Sequence, residues 1–303
     1  MSDSTPRSFT VALVGHPGAG KTALHAALNA QAGPNDVFTF VDLPGSHVLA
    51  PNTEDERQVY DRLLGRRPDL GVRPDALVVL TDATRLEQNL YFVSQVIDLR
   101  LPVVVALSKV DRARRLGITL NMVRLRDQLG VPVVVVRPDK GEGTDEIRSA
   151  LEGEIARTGK PVRTHWRPSI ALANAYNHLD EMWLSKHLPL HTGARLVEGL
   201  RLLSVANAVD EYEAHPASGL LMRTVEEARE KMESRGENWV MGETLQRHQW
   251  ANHLAAHVTE RGTPALSERG RQQLIETPRW VAWLLFAAAA LILGLVGWWF
   301  AGG

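Results

Sequence analysis

Residues 15–22 have the types and spacing that bind phosphate. They read GHPGAGKT, which fits the pattern GxxxxGK[ST]. Glycines let the backbone curl so that its N–H groups point at phosphate oxygens, while Lys21 would reach the β and γ phosphates and the Thr22 hydroxyl would hold Mg²⁺. The predicted contacts are Gly15, His16, Pro17, Gly18, Ala19, Gly20, Lys21, Thr22 and Ala23. The alternative is a relic loop that no longer binds nucleotide.

A second motif, VDLPG at 41–45, follows in register with this loop. Asp42, at the end of a predicted strand, can hold the Mg²⁺ shell through water, and the Gly45 N–H can face a γ-phosphate. Thr22 and Asp42 are therefore the predicted metal residues. An acidic residue at a strand end is otherwise commonly a helix cap.

The third motif, SKVD at 108–111, indicates base recognition. Asp111 can accept two hydrogen bonds from guanine N1 and N2, with the Lys109 stem over the purine. Ser108 stands where Asn is usual, which predicts weaker selectivity for guanine. A generic polar cluster at a strand end is the alternative. The segment RPDKGEG, with Pro138, Asp139 and Lys140, is the predicted final base loop.

The elements that would position these motifs alternate in the βαβ manner of a doubly wound, mainly parallel α/β sheet. Apolar runs predict strands at 9–15, 37–43, 76–83, 102–109 and 132–138, with amphipathic helices between them and a last helix near 144–157. We expect this P-loop domain to cover 1–160. Helical periodicity then predicts a small helical domain over 161–262, followed by a link over 263–279.

Residues 280–300 form an uncharged stretch, WVAWLLFAAAALILGLVGWWF, with tryptophans at both margins. About 20 such residues span the hydrocarbon core of a bilayer, so the stretch predicts a transmembrane helix. The alternative is a buried helix of a soluble core. Three arginines precede the stretch, at 269, 271 and 279, and only Ala-Gly-Gly follows it. The positive-inside rule therefore predicts a single-pass membrane protein with its N-terminal domains in the cytoplasm.

Composition excludes several functions. The 34 basic and 35 acidic residues give no field for nucleic acid, and the absence of cysteine excludes thiolate chemistry and disulfides. His253 and His257 are spaced to share a helix face, but no third ligand stands in register with them, so we assign no iron ligand.

The motifs together resemble the bacterial ferrous-iron transport protein B (FeoB) family. The resemblance rests on VALVGHPGAGKTALHAALN, VDLPGSHVLAPNTEDERQVYDRLL, PDALVVLTDATRLEQNLYFVSQVIDLRLPVVVALSKVD and LGVPVVVVRPDKGEG, and covers nearly all of 9–300. It implies a cytosolic G domain that binds GTP or GDP, a helical domain that tunes nucleotide release, and a first transmembrane helix. Implied partners are the lipid bilayer, a second copy of the chain or other iron-transport subunits.

Three departures from the family pattern modify this expectation. Asparagines common in the family's loop are replaced by His16 and Gly18, which weakens the expectation of hydrolysis. The family's permease has many more spans, so the chain is either a fragment or a paralogue that has lost transport. Finally, about 20 residues separate Lys21 from Asp42, whereas an average helix takes about 11–12 and an average strand about 5–6.

The short spacing leaves only AGPND, at 32–36, between helix and strand. Neither a first switch loop with a magnesium-binding threonine nor the usual edge strand fits there. We therefore expect a membrane-anchored guanine-nucleotide-binding protein, linked to ferrous iron uptake, that hydrolyses GTP weakly or slowly. The alternative is a pseudo-GTPase adaptor that makes protein contacts at the membrane.

Overall fold

The computed structural model describes residues 8–33, 36–67, 69, 71–157 and 166–262. In its first part, strands alternate with helices. The strands are β1 (Phe9–Gly15), β2 (Phe38–Asp42), β3 (Ala76–Asp82), β4 (Val103–Ser108), β5 (Ile118–Leu120) and β6 (Val133–Val135). The helices are α1 (Lys21–Ala30), α2 (Glu54–Leu64), α3 (Leu86–Asp98), α4 (Val110–Arg115), α5 (Met122–Leu129) and α6 (Thr144–Ala156).

Five of these strands form a parallel sheet in the order β2-β1-β3-β4-β6. All seven residues of β3 and all six of β4 are buried, because helices cover both faces, and this explains their continuous apolar sequence. The predicted doubly wound sheet is confirmed, and within the described residues it ends at β2 on one side. Every strand of a parallel sheet points the same way, so the segments that follow β1, β2, β4 and β6 meet at one edge.

The last strand of the sheet is shorter than predicted. Apolar residues suggested a strand over 132–138, but β6 covers only Val133–Val135. The chain then folds back on itself, as Arg137 pairs with Glu142 and a 3₁₀ turn covers Pro138–Lys140. Proline has no N–H to donate to a sheet and favours such a turn.

The second part is mainly helical. It contains α7 (Ile170–Leu179), continued by a π-helical turn (Asp180–Leu184) and α8 (Ser185–His187), then α9 (Thr192–Ser204), a 3₁₀ turn (Ala208–Tyr212), α10 (Ser218–Glu233) and α11 (Gly242–Val258). Buried Trp183 lies in the core that these helices share. Helix α11 instead packs on α3 of the first part.

A short strand that the sequence pattern did not predict follows α11. Strand β7 (Thr259–Arg261) pairs antiparallel with β5, so that Thr119 faces Glu260. The sequence Thr-Glu-Arg has no apolar alternation, because only its backbone takes part in the pairing. This two-stranded sheet joins the end of the helical part to the P-loop domain.

Within the described residues, no helix combines the length and apolar character that crossing a membrane requires. The predicted span at 280–300 and the predicted link at 263–279 lie outside the described residues, and so does the domain boundary near 160.

Candidate nucleotide-binding site

The turn between β1 and α1 has the form of a phosphate-binding loop. Its glycines adopt conformations that other residues avoid, with φ of 73° at Gly18 and 103° at Gly20. Gly15 also passes so close to β3 that an added Cβ would lie 2.4 Å from the Leu80 carbonyl oxygen. The Lys21 ammonium group lies over the loop, where Nζ donates to the Gly15 carbonyl at 3.2 Å. Burial lowers the pKa of Lys21. The loop thus has the backbone path and the cation that a phosphate requires.

The two predicted metal residues lie side by side. The Thr22 hydroxyl donates to Asp42 Oδ2 at 2.7 Å, joining the first turn of α1 to the end of β2. The other carboxylate oxygen, Asp42 Oδ1, is buried and has no partner among the described residues. Magnesium is usually held by one or two protein oxygens together with water and substrate phosphates. This pair fits that donor set, and the described residues contain no cluster of three or more His, Cys, Asp or Glu that could hold a metal alone.

The turn after β2 lies directly on the phosphate loop. The Ser46 N–H donates to the Gly15 carbonyl at 3.2 Å. A Cβ at Gly45 would lie 2.8–2.9 Å from three atoms of Pro17, two of them backbone atoms, so only glycine fits there. Ser46 is buried and its hydroxyl donates to the Val48 carbonyl at 2.7 Å. The backbone at Gly45 therefore lies beside the loop, whereas the Ser46 side chain is occupied elsewhere.

Two residues at the end of β4 tie the phosphate loop to the sheet. The buried Ser108 hydroxyl lies 3.1 Å from the Ala19 carbonyl oxygen and 3.2 Å from that of Thr81. Lys109 Nζ donates to the Gly18 carbonyl at 2.9 Å and to Asp82 Oδ2 at 2.7 Å. Ser108 thus faces the loop, and Lys109 lies alongside it.

Asp82 was not among the predicted site residues, although it ends β3 as Asp42 ends β2. Burial raises its pKa, but hydrogen bonds from Lys109 and Thr84 outweigh burial, so the net shift is downward. A charged carboxylate therefore fixes Lys109 at the edge of the loop. Its position at a strand end was the signal that could have identified it.

The structure places the predicted base-reading residues around the same edge. Asp111, on α4, is about 42% exposed and pairs with Arg115 at 3.2 Å. Asp139 and Lys140 are exposed on the 3₁₀ turn, whose Pro138 ring lies 3.8 Å from where a Cβ of Gly20 would be. A cleft of about 290 Å³ borders His16, Pro17, Gly18 and Ala19, while Asp111 lines a neighbouring cleft of about 290 Å³.

His16, within the loop, is a neutral side chain near pH 7. Burial, followed by the adjacent His47 and Lys21, lowers its pKa to about 4. Its ring centroid lies 4.6 Å from that of His47. Its Nε2 atom is buried without a partner among the described residues. A neutral imidazole can donate one N–H, so His16 can still donate a hydrogen bond, as the asparagine common at this position in the family could.

Asp36, near the end of the link between α1 and β2 (residues 31–37), is held by a residue that sequence reasoning missed. Arg148 of α6 donates to both carboxylate oxygens of Asp36, at 2.8 and 2.9 Å, and to the Leu28 carbonyl at 2.8 Å. The link contains no serine or threonine. Thr39 on β2 is exposed, and its hydroxyl lies 3.1 Å from that of Ser8, so it is engaged at the sheet edge.

This geometry defines the class of protein: a P-loop GTPase-like α/β fold, with motifs at the carboxyl edge of its parallel sheet. Residues 29–151 match the family model described as "Ferrous iron transport protein B". Among curated proteins, the chain is 31% identical over 161 residues to the Fe(2+) transporter FeoB of Leptospira biflexa, a match that covers 47% of this chain and 23% of the relative. It is 28% identical over 214 residues to the FeoB of Legionella pneumophila (strain Lens), covering 63% of this chain and 28% of the relative.

Solved structures agree with this fold. An S. thermophilus NFeoB mutant bound to GDP superposes with a TM-score of 0.71 at 24% identity, covering 83% of this chain and 99% of the other. NFeoB from S. thermophilus bound to GDP.AlF4- and K+ gives 0.69 at 24% identity, covering 82% and 99%. The predicted resemblance to the FeoB family is thus confirmed for the N-terminal G domain. The chain spans about a quarter of the length of these curated relatives.

Proposed function

We propose that this chain binds a guanine nucleotide together with Mg²⁺ and hydrolyses GTP slowly, as a membrane-anchored protein of ferrous iron uptake. The observation that carries the nucleotide site is the Thr22–Asp42 pair beside Lys21 at the start of α1. A hydroxyl, a carboxylate and an ammonium group converge there on a loop whose glycines leave the backbone accessible. These are the groups that phosphate and Mg²⁺ need.

In this proposal, Lys21 would exchange the Gly15 carbonyl for the β and γ phosphates, and Thr22 and, through water, Asp42 would hold the metal. Bound Mg²⁺ would neutralise phosphate charge and orient the phosphate chain. The Gly45 N–H would face the γ-phosphate, since Gly45 lies beside Pro17 of the loop. Asp111 reads the guanine edge, while Lys109 supports the base from the position that its bond to Gly18 already fixes.

Slow hydrolysis follows from groups that the site lacks. The 31–37 link offers no hydroxyl for the metal, and Arg148 fixes it through Asp36. The Ser46 hydroxyl, next to Gly45, is bound to a backbone carbonyl and is not free to orient an attacking water. Other polar side chains among the described residues that line the cleft beside the loop include the neutral His16, His47, Arg85 and Gln88.

Membrane attachment and the role in iron uptake rest on different support. The uncharged stretch at 280–300 supports a span. The curated relatives named as Fe(2+) transporters support the iron connection. These relatives are about four times as long as the matched segment, so transport itself is not assigned to this chain.

The test is a titration of the purified full chain in detergent with GDP, GTP, ADP and ATP, with and without Mg²⁺. Micromolar, magnesium-dependent binding that prefers GDP over ADP supports the proposal. Lys21→Ala should abolish it, whereas the matched control Lys231→Ala, exposed on α10, should leave it unchanged. Binding that survives Lys21→Ala would refute the assigned site.

A second candidate, a pseudo-GTPase adaptor, is favoured by one observation. Arg148 pairs with Asp36, at one end of the link in which the first switch of a GTPase would have to move. For this function we expect no measurable nucleotide binding in the same titration, so one experiment separates the two candidates.

A further inference from the structure

The surface around the small β5–β7 sheet is strongly basic. Residues 110–137 contain six arginines and two aspartates, a net charge of +4 in a chain whose total charge is −1. Four of these arginines are exposed and flank β5: Arg114 and Arg115 end α4, and Arg124 and Arg126 lie on α5. The rest of the molecule must carry the compensating negative charge, so the positive charge is concentrated here.

Two large apolar side chains are exposed within this cluster. Leu116 is 50% exposed and Val123 is 67% exposed. We define the basic surface as Arg114, Arg115, Leu116, Val123, Arg124 and Arg126. Three acidic neighbours offset part of its charge, since Asp111 pairs with Arg115 while Asp127 and Glu260 are exposed nearby. The balance stays positive, because Arg112 and Arg261 are exposed next to the four arginines. Basic and apolar side chains together suit the interface of an anionic bilayer.

The chain leaves the described structure at this same surface. The Gly262 N–H donates to the Gly117 carbonyl at 2.7 Å, next to Leu116. On the other side of the sheet, Arg124 Nη1 donates to the His257 carbonyl at 3.1 Å. Residues 263–279 then lead to the uncharged stretch. At no more than about 3.6 Å per residue, this tether is at most about 60 Å long. The basic surface adjoins the start of this tether, so it can reach a bilayer that contains residues 280–300.

We propose that the basic surface docks on the anionic lipid headgroups of the membrane that anchors the chain. The proposal rests on the membrane attachment in the proposed function. The arginines contact phosphate groups, and Leu116 and Val123 enter the headgroup layer. Docking holds α4, which carries Asp111, against the membrane. The part of the site that would bind the base therefore faces the bilayer.

The test uses the full chain in lipid nanodiscs with a nitroxide quencher on the lipid headgroups. The chain has no cysteine, so one introduced residue carries a fluorophore uniquely. Gln128→Cys, exposed on α5, reports on the basic surface, and Ile170→Cys, 80% exposed on α7, is the control on a separate element. In phosphatidylglycerol discs we expect strong quenching at 128 and weak quenching at 170. In phosphatidylcholine discs or at high salt, the quenching at 128 should disappear, because charge attraction is screened.

Variants that remove charge test whether the arginines of the basic surface cause docking. Arg114→Gln with Arg124→Gln should lower the docking equilibrium about thirtyfold, since each arginine near an anionic surface contributes about 1 kcal/mol. The matched control, Arg223→Gln with Lys231→Gln, removes two exposed charges from α10 and should leave docking unchanged. Equal quenching at both labels, or no dependence on anionic lipid, would overturn the proposal.

Failure of membrane attachment gives a separate result. If the chain does not enter nanodiscs, the anchor in the proposed function is wrong, and docking is measured by sedimentation of the full chain with phosphatidylglycerol vesicles. Salt-sensitive binding that Arg114→Gln with Arg124→Gln weakens then supports the surface, and no binding overturns it. Tighter binding to duplex DNA than to these vesicles would assign the surface to nucleic acid and also overturn the proposal.

Discussion

We expect this protein to bind GTP and GDP with affinities within about tenfold, or 1.4 kcal/mol, of each other. The two nucleotides differ by one group, the γ-phosphate, which GTP has and GDP lacks. In the proposed site the γ-phosphate gains Lys21 and the Gly45 N–H, but residues 31–37 supply no hydroxyl to the metal beside it. We take the missing contact between hydroxyl and metal to be of the same order as a hydrogen bond to a charged group, about 1.5–3 kcal/mol. Loss of one such contact is enough to remove most of the preference that a nucleotide switch needs.

The assay is calorimetric titration of the full chain with GDP and with a non-hydrolysable GTP analogue in the presence of Mg²⁺, together with phosphate release from GTP. A GTP preference far beyond tenfold, or sustained turnover of about one per second, would refute the reasoning. Either result would mean that another segment replaces the missing switch.

The substitution Gly45→Ala tests the expected contact between the Gly45 N–H and the γ-phosphate. A Cβ at Gly45 would approach Pro17 to 2.8–2.9 Å, so Gly45→Ala must push the turn away from the loop. We expect about tenfold weaker binding of the GTP analogue, within the range of one lost hydrogen bond to a charged group, with GDP binding changed much less. Gly219→Ala on α10 is the control, because its Cβ meets no heavy atom within 4 Å. An equal loss for both nucleotides would show that Gly45 supports the loop and does not sense the γ-phosphate.

Three further predictions follow from single side chains. Asp111→Asn should shift preference from guanine toward xanthine nucleotides in competition titrations, because the amide donates where the carboxylate accepts; wild-type binding of ATP as tight as that of GTP would contradict this. Arg247→Met should lower the free energy of unfolding in urea by about 3–5 kcal/mol, because it leaves Asp98 and Glu243 as unpaired carboxylates in the contact between α11 and α3. Adding Asp98→Asn and Glu243→Gln should recover part of the lost stability. A loss below about 1 kcal/mol would refute a structural role for these ion pairs. Because the pKa of His16 is lowered to about 4, the folded state binds fewer protons than the unfolded state, so the free energy of unfolding should fall as pH drops from about 6.5 to 4. His16→Asn should reduce this pH dependence in urea unfolding at several pH values. An unchanged pH dependence would contradict the lowered pKa.

Much of the fold could be read from local patterns. Strand β1 begins and ends where its apolar run does, and α1 begins at Lys21. Parallel strands with both faces buried need continuous apolar residues, and a phosphate loop needs glycine at positive φ, so both features leave a direct mark in the sequence. The short spacing between Lys21 and Asp42 also predicted the short 31–37 link, because helix and strand lengths leave little room for anything else.

Contacts between distant segments could not be predicted from local sequence patterns. Arg148 and Asp36 lie 112 residues apart, and neither has a neighbouring pattern that indicates the other. Strand β7 depends on backbone pairing with β5, for which its side chains carry little signal. The direction of the Ser108 hydroxyl, toward Ala19, was set by the approach of the loop to β4.

The sequence by itself therefore determined the order of the motifs and the edge of the sheet at which they meet, since periodicity and glycine placement act over a few residues. Only the tertiary structure decided that Asp36 pairs with Arg148, that Thr39 is engaged at the sheet edge, and that Gly45 lies against Pro17. These outcomes depend on which surfaces approach within about 3–4 Å after the chain has folded. Packing and hydrogen bonding at that range are properties of the whole arrangement, and no local window of sequence contains them.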